Sequence, residues 1–276
     1  MARKGALHRI FDIVQEKFPG ARRLIWKKWY KYINRLDNGA DVIFMNYGYS
    51  GFDPNATIKL KELDEKDRYC IQLYHHVASS ISLKNKDLLE IGCGRGGGSS
   101  YIKRYLKPRF MAGMDFSDET IKFCKKHYSV KGLSFYCGDA ESIPFENNKF
   151  DVVINVESSH CYGNIGKFFN EIFRVLRYNG YFLFADFRAK EDIDSVRSQL
   201  KRAGFKIIKE ENINKNVIKS LDADHERKNN LINQKAPRMF HWIFLKFAGA
   251  KGSVIYDSFK NGEKKYVNFV LQKKRK

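Results

Sequence analysis

The segment LLEIGCGRGGGSSY, from Leu88 to Tyr101, places five glycines in seven consecutive positions directly after an apolar run. Glycine loses more conformational freedom on folding than any other residue, so such a run is costly to order unless the backbone must approach something closely. Gly92, Gly94 and Gly97 have the spacing GxGxxG, which at a turn from a strand into a helix is the fingerprint of dinucleotide binding. The loop therefore predicts a site for a nucleotide-like cofactor.

Three acidic residues refine this prediction. Asp115 lies 23 residues beyond Gly92, at the end of the next predicted strand, where a carboxylate can accept hydrogen bonds from ribose hydroxyls. That arrangement fits NAD and S-adenosylmethionine alike. Glu90 precedes the first glycine by two residues, where it would repel a pyrophosphate but suits a ligand that carries an ammonium group. Asp139, at the end of the third predicted strand, suits the amino group of adenine, so the acids together favour S-adenosylmethionine.

His160 follows the fourth predicted strand, on the same side of the sheet as the glycine loop. A histidine titrates near neutral pH and can remove the proton of an alcohol, although a loop histidine that only bonds the backbone is the alternative. We interpret Cys161 as a core residue, and Glu157 as either a second carboxylate of the site or a helix cap. Tyr47 and Tyr49, in the segment MNYGY, either close over the cofactor or pack against the core.

The elements that must position these residues belong to an α/β fold, because short apolar runs alternate with helical segments from Lys86 to Arg188. The sequence predicts a Rossmann-like, seven-stranded and mostly parallel sheet that ends in an antiparallel hairpin. The predicted strands are Asp87–Ile91, Phe110–Asp115, Leu133–Cys137, Phe150–Val156, Tyr181–Asp186, Phe205–Glu210 and Lys265–Gln272. Predicted helices begin near Gly98, Ser117, Gly163 and Glu191, with Ser117 as an N-cap.

Two further segments lie outside this repeating pattern. Residues 1–80 are predicted to form a basic helical lid, and residues 81–276 the main domain. Residues 212–263 form an insertion before the last strand, which we expect to cap the substrate, since insertions of that length in compact domains are usually functional.

The composition limits the possible partners and the compartment. A formal net charge of +20 suits nucleic acid, an anionic membrane surface or an acidic substrate, and a solvated lysine-rich surface explains it equally well. Five scattered cysteines without CxxC spacing favour a reducing compartment, and they argue against a disulfide framework and a structural zinc site. No apolar run reaches the length of a membrane span, and the N-terminus lacks the apolar stretch of a signal peptide. We therefore expect a cytoplasmic protein.

The segment ARRLIWKKWYKYINRL is predicted to form an amphipathic helix with an aromatic face and a basic face. The apolar face holds Ile25, Trp26, Trp29, Tyr30, Ile33 and Leu36, and the basic face Arg23, Lys27, Lys28, Lys31 and Arg35. Such a helix either covers the main domain as a lid or lies on an anionic membrane surface, and the two roles are compatible.

Several motifs in sequence order resemble those of class I S-adenosylmethionine-dependent methyltransferases, namely EIGCGRG, MDFS, GDAESIPF, FDVVINVESSHCY and EIFRVLRYNGYFLFADF. More narrowly, MNYGY, QLYHHVA, GGGSSY and IKFCKKH resemble the phthiotriolone and phenolphthiotriolone dimycocerosate methyltransferases and, more broadly, small-molecule O-methyltransferases of the rebeccamycin sugar type. The resemblance covers Ile43 to Phe187 well and is looser from Asn212 onward.

The resemblance implies a role for each matching position. It implies that the cofactor is bound by Tyr47, Glu90, Gly92, Gly94, Asp115, Phe116, Asp139, Ala140 and Val156. Among these, Glu90 and the glycines would hold the methionyl end, Asp115 the ribose, and Asp139 the adenine. It also implies that His160 is a general base paired with Asp186. We expect no metal in the site.

The function predicted from these observations is methyl transfer from S-adenosylmethionine to a hydroxyl of a hydrophobic, lipid- or polyketide-like molecule. Carbon methylation of a sterol- or quinone-type lipid and methylation of RNA are the alternatives. The sequence NVESSH lacks the (D/N)PPY pattern that cradles a base amino group, and no Pro-Cys pair offers a nucleophile for pyrimidines, so nucleic acid is disfavoured. An inactive fold that binds nucleic acid is a third reading, against which the intact glycines and acids count.

Overall fold

A seven-stranded sheet forms the centre of the molecule, with strand order β3-β2-β1-β4-β5-β7-β6. The structure is a computed structural model and describes residues 37, 40–53, 57–238 and 241–274. Its strands are β1 (Asp87–Ile91), β2 (Phe110–Asp115), β3 (Leu133–Cys137), β4 (Phe150–Val156), β5 (Leu176–Ala189), β6 (Phe205–Asn212) and β7 (Lys264–Lys273). Strands β1 to β5 pair in parallel, and β7 runs antiparallel to both β5 and β6. The predicted fold class is confirmed.

The central strands are apolar on both faces because both faces of the sheet are covered. In β1, Leu88 packs into the core cluster on one face of the sheet, and Leu89 into the cluster on the other face. Successive side chains of a strand point to opposite faces, so an uninterrupted apolar run supplies both cores at once. The polar residues of the site therefore lie where the strands end.

Ten α-helices lie within the described ranges and cover the sheet. They are α1 (Glu62–Glu65), α2 (Arg68–Ala78), α3 (Gly97–Tyr101), α4 (Asp118–His127), α5 (Ile165–Val175), α6 (Ile193–Arg202), α7 (Asn214–Ala223), α8 (His225–Lys235), α9 (His241–Phe247) and α10 (Val254–Lys260). The predicted N-cap at Ser117 is present, since its hydroxyl accepts a hydrogen bond from the backbone N–H of Thr120 at 3.3 Å. Asn164 caps α5 in the same way, through the N–H of Lys167 at 2.9 Å.

Two segments outside the strand–helix repeat pack against this framework. Residues 40–50, which we call the strap, cross the glycine loop, and the N–H of Tyr49 bonds to the carbonyl of Tyr69 in α2. Helices α7 and α10 of the insertion bury Val217 and Phe259 in the same core cluster as Tyr47 of the strap. The predicted amphipathic helix over residues 21–36 lies outside the described residues. No helix within those ranges is long and apolar enough to cross a membrane.

Candidate active site

A cavity opens at the carboxyl ends of β1 to β4, where ligands bind in open α/β sheets. Its walls come from the glycine loop, the ends of four strands, Tyr74 of α2 and residues 43–46 of the strap. Of the residues implied by the resemblance, seven line it: Gly92, Gly94, Asp115, Phe116, Asp139, Ala140 and Val156. Tyr47, Glu90, His160 and Asp186 do not line it and lie behind its wall.

The glycine loop is crowded by the protein itself. Gly92 has a φ of +72°, and a Cβ at this position would lie 2.2 Å from the Ser158 hydroxyl. A Cβ at Gly98 would lie 2.1 Å from the ring of Tyr74. The glycines therefore let the loop fit closely between the ends of β1 and β4, the helix α2 and the strap, in addition to leaving room for a ligand.

Asp115 joins the end of β2 to the glycine loop. One carboxylate oxygen accepts the N–H of Gly94 at 3.0 Å, and the other accepts the N–H of Ser117 at 3.0 Å. Burial raises the pKa of this carboxyl, while the backbone N–H bonds oppose that change. The carboxylate thus sits at the cavity wall with its position fixed from two sides.

Replacing Asp115 with alanine is expected to weaken cofactor binding by about 1–3 kcal/mol, because the ribose hydroxyls would lose a charged acceptor. Titration calorimetry with S-adenosylhomocysteine measures this change. Binding as tight as that of the wild type would show that Asp115 only holds the loop.

At the adenine end of the predicted site, Asp139 follows β3 and forms a turn. Its carboxylate accepts the N–H of Glu141 at 3.0 Å, and the turn places Ala140 beside it in the cavity wall. Phe116, the next residue after Asp115, is 40% exposed and lines the same part of the cavity. An apolar surface and a carboxylate thus lie in the cavity wall, as the predicted contact with adenine requires.

Glu90 is fully buried, and both of its carboxylate oxygens have partners. The hydroxyl of Tyr74 donates to Oε1 at 2.7 Å, and the hydroxyl of Ser99 donates to Oε2. Burial raises the pKa of Glu90 to about 7, although the hydrogen bonds from Ser99 and Tyr74 act to lower it. The predicted contact between Glu90 and the cofactor stays a prediction, and the cavity wall at this point is Tyr74, which the sequence analysis did not single out.

His160 and Asp186 come together behind the cavity, at the ends of β4 and β5. The Nδ1 atom of His160 lies 2.9 Å from Oδ1 of Asp186, and its backbone N–H donates to Oδ2 at 3.0 Å. Since a carboxylate only accepts, Nδ1 carries a proton. Ser159 and Arg188 also contact Oδ2, at 2.6 and 3.1 Å.

The ionisable groups of this cluster shift each other's pKa values. Burial alone would raise the pKa of Asp186, but Arg188 and His160 hold it well below its usual range. Burial alone would lower the pKa of His160, whereas Cys161 and Asp186 raise it to about 10. Cys161, a hydrogen-bond partner of the His160 side chain, does line the cavity. Through Cys161, the pair therefore lies next to the cavity wall.

Glu157 follows β4 and lines the cavity in a left-handed backbone conformation, with φ +46°. The N–H of Tyr47 and the hydroxyl of Tyr266 both donate to its Oε1, each at 2.8 Å. The Tyr47 ring itself packs on Phe187 and Phe259 with centroids 5.5 and 5.6 Å apart, behind the cavity wall. Burial raises the pKa of Glu157 to about 7.

Comparison with known proteins agrees with this geometry. Residues 89–184 match the family model described as a methyltransferase domain. The chain is 34% identical over 249 residues to the phthiotriol/phenolphthiotriol dimycocerosates methyltransferase of Mycobacterium tuberculosis, covering 90% of this chain and 92% of the relative. It is 39% identical over 215 residues to the fatty-acid O-methyltransferase of Mycolicibacterium smegmatis, covering 78% of each.

The fold is also that of solved enzymes. The structure of geranyl diphosphate C-methyltransferase from Streptomyces coelicolor, in complex with S-adenosyl-L-homocysteine, aligns with a TM-score of 0.64 at 14% identity over 91% of this chain and 97% of that chain. The glycine loop, the acids at the ends of β2 and β3, and the extent of the match to the mycobacterial relatives all agree. The chain belongs to the class I S-adenosylmethionine-dependent methyltransferases.

Proposed function

We propose that this methyltransferase transfers the methyl group of S-adenosylmethionine to an oxygen atom of a lipid-like small molecule, in the first instance a hydroxyl. The observation that carries this proposal is the His160–Asp186 pair, 2.9 Å apart, beside the cavity at the end remote from Asp139. The names of the two mycobacterial relatives, one acting on dimycocerosates and the other a fatty-acid O-methyltransferase, support a lipid-like acceptor.

The chemistry required of the protein is modest. The bound cofactor supplies an activated methyl group, and the chain must align the acceptor oxygen with it and remove the acceptor's proton. His160 takes that proton, and Asp186 fixes the imidazole and stabilises its charged form. Because the pKa of His160 is raised, the base is mostly protonated at neutral pH, and turnover rises with pH through that pKa.

A fatty-acid carboxylate is a second candidate acceptor, favoured by the cationic surroundings of Asp186. The pKa of His160 is raised, so its imidazole carries a positive charge, and the Arg188 guanidinium lies 3.1 Å from the Asp186 carboxylate. A carboxylate acceptor is already ionised and needs no base, so removing His160 would then affect acceptor binding more than the pH dependence of turnover.

The experiment that tests the proposal uses labelled methyl transfer from S-adenosylmethionine into a cell extract, separated afterwards into lipid and RNA fractions. We expect label in the lipid fraction only. Label in the RNA fraction would contradict the proposal and favour the role that the net charge of +20 suggests.

A peripheral membrane contact by the basic segment over residues 21–36 remains part of this proposal. We expect weak, salt-sensitive binding to anionic vesicles that is lost when residues 1–36 are deleted, because lysines near an anionic surface each contribute favourably. Co-sedimentation at low and high salt measures it. Equal binding by the intact and shortened chains would leave the segment as a lid alone.

A further inference from the structure

We propose that Glu157 binds the ammonium group at the methionyl end of S-adenosylmethionine, the role that the sequence suggests for Glu90. This role involves the cofactor alone and does not depend on which acceptor is methylated. Glu90 itself is closed off, because its two oxygens accept hydrogen bonds from Tyr74 and Ser99 and it does not line the cavity.

Glu157 lies beside the glycine loop, where the ammonium group at the methionyl end of the cofactor is predicted to bind. Strand β4 pairs with β1 in parallel, with Glu90 opposite Ile154, so the residues that follow both strands are neighbours. Gly92 approaches Ser158 so closely that no side chain fits between them. Ser158 therefore stands against the first glycine of the loop, and Glu157, the residue before it, lines the same cavity as Gly92.

The carboxyl group of Glu157 has one oxygen available to a ligand. Both hydrogen bonds that it accepts from the described residues, from Tyr47 and Tyr266, go to Oε1. Oε2 receives none from that part of the chain. The backbone of Glu157 is in the left-handed conformation, which is unfavourable for glutamate. Such a conformation persists only where the surrounding structure enforces it, and it is often found at functional sites. The side chain is thus anchored on one oxygen and presents the other.

Binding of a cation at this carboxylate has a consequence that can be measured. Among the described residues, the ionisable groups that interact with Glu157 are the phenols of Tyr47, Tyr74 and Tyr266, the Asp186 carboxylate and the His160 imidazole. Burial raises the pKa values of the three phenols above 10, and the pKa values of Asp186 and His160 lie on opposite sides of the neutral range.

Since burial raises the pKa of Glu157 to about 7, the free protein carries a proton there below neutral pH. An ammonium group favours the ionised carboxylate, so binding releases that proton. Glu90, whose pKa burial also raises to about 7, is the alternative source and must be tested separately.

The experiment is titration calorimetry with S-adenosylhomocysteine near pH 6 and pH 8, in buffers of different ionisation enthalpy. For the wild type we expect tighter binding near pH 8 and release of about one proton near pH 6. Glu157→Gln keeps the acceptor for Tyr47 and Tyr266; it should abolish the release and weaken binding near pH 8 by roughly 10- to 100-fold. 5′-Methylthioadenosine, which lacks the amino acid end, should bind wild type and variant alike.

Matched variants decide between this assignment and general damage. Glu141→Gln changes another cavity-lining carboxylate, and Glu90→Gln changes the buried one; both should retain proton release. Should Glu157→Gln fail to fold, Glu157→Asp keeps a carboxylate and should retain part of the release. The proposal is overturned if Glu157→Gln binds S-adenosylhomocysteine normally, if it weakens both ligands equally, or if Glu90→Gln alone abolishes proton release.

Discussion

Replacing His160 with alanine is expected to lower kcat by roughly 10²–10⁴-fold and to leave the affinity for S-adenosylhomocysteine nearly unchanged. The first effect follows from losing the group that takes the acceptor's proton. The second follows from the geometry, because His160 does not line the cavity and its partners are Asp186 and Cys161. Steady-state methyl transfer and calorimetry on the same preparation measure the two quantities.

The pH dependence provides an independent readout of the same pair. In the wild type, turnover should rise with pH, with a midpoint above the ordinary range of histidine, because Cys161 and Asp186 raise the pKa of His160. Asp186→Asn removes this carboxylate, so its midpoint should move to lower pH while kcat falls. A His160→Ala enzyme with normal turnover near pH 7 would contradict the assignment and leave positioning of the acceptor as the main source of catalysis.

The second large effect is expected at a buried ion pair that ties the strap region to the glycine loop. Nη1 of Arg95, in the loop, lies 3.0 Å from Oδ2 of Asp37, and Nη2 donates to the Asp37 carbonyl at 3.0 Å. Both side chains are almost completely buried, and the guanidinium lies 4.0 Å from the ring centre of Phe123. Asp37→Ala should lower the free energy of unfolding by about 3–5 kcal/mol, since it leaves a buried charge without its partner.

Urea denaturation, fitted with one m-value for the wild type and the variants, measures this loss in the free energy of unfolding. The matched control is the double variant Asp37→Ala/Arg95→Met, which removes the unpaired charge and should recover much of the stability. A loss below about 1 kcal/mol in the single variant would mean that solvent satisfies the Arg95 guanidinium once Asp37 is removed, so that the ion pair contributes little.

The strands could be predicted from the sequence because their signal is local. The boundaries of β1 to β4 follow directly from apolar runs that end in a glycine or an acidic residue. The fifth strand is longer than predicted, Leu176–Ala189 instead of Tyr181–Asp186. Pairing with β7 extends it from residue 186 to Ala189, and Leu176 pairs with Phe150 of β4 before the polar stretch over residues 177–180. Asp115 and Asp139 could be placed in the cavity because the ends of parallel strands meet at one edge of the sheet.

The features that could not be predicted depend on contacts between distant parts of the chain. Nothing in the local pattern around Glu90 indicates that Tyr74 closes it off from the cavity, since Tyr74 lies on a helix before the strand. The position of the Glu157 carboxyl group in the cavity wall depends on Tyr266 of β7, whose hydroxyl donates to its Oε1. Sequence motifs thus indicate which acids lie near the cavity, whereas tertiary packing decides which of them line it.

The most direct test of the account is to supply S-adenosylmethionine with a trideuterated methyl group and to characterise the labelled product by mass spectrometry and alkaline hydrolysis. Wild-type protein should place the label on oxygen in the lipid fraction, as an ether that resists hydrolysis if the acceptor is a hydroxyl, and His160→Ala should give only background. Label bound to carbon, or label recovered only in nucleic acid, would contradict the proposed function.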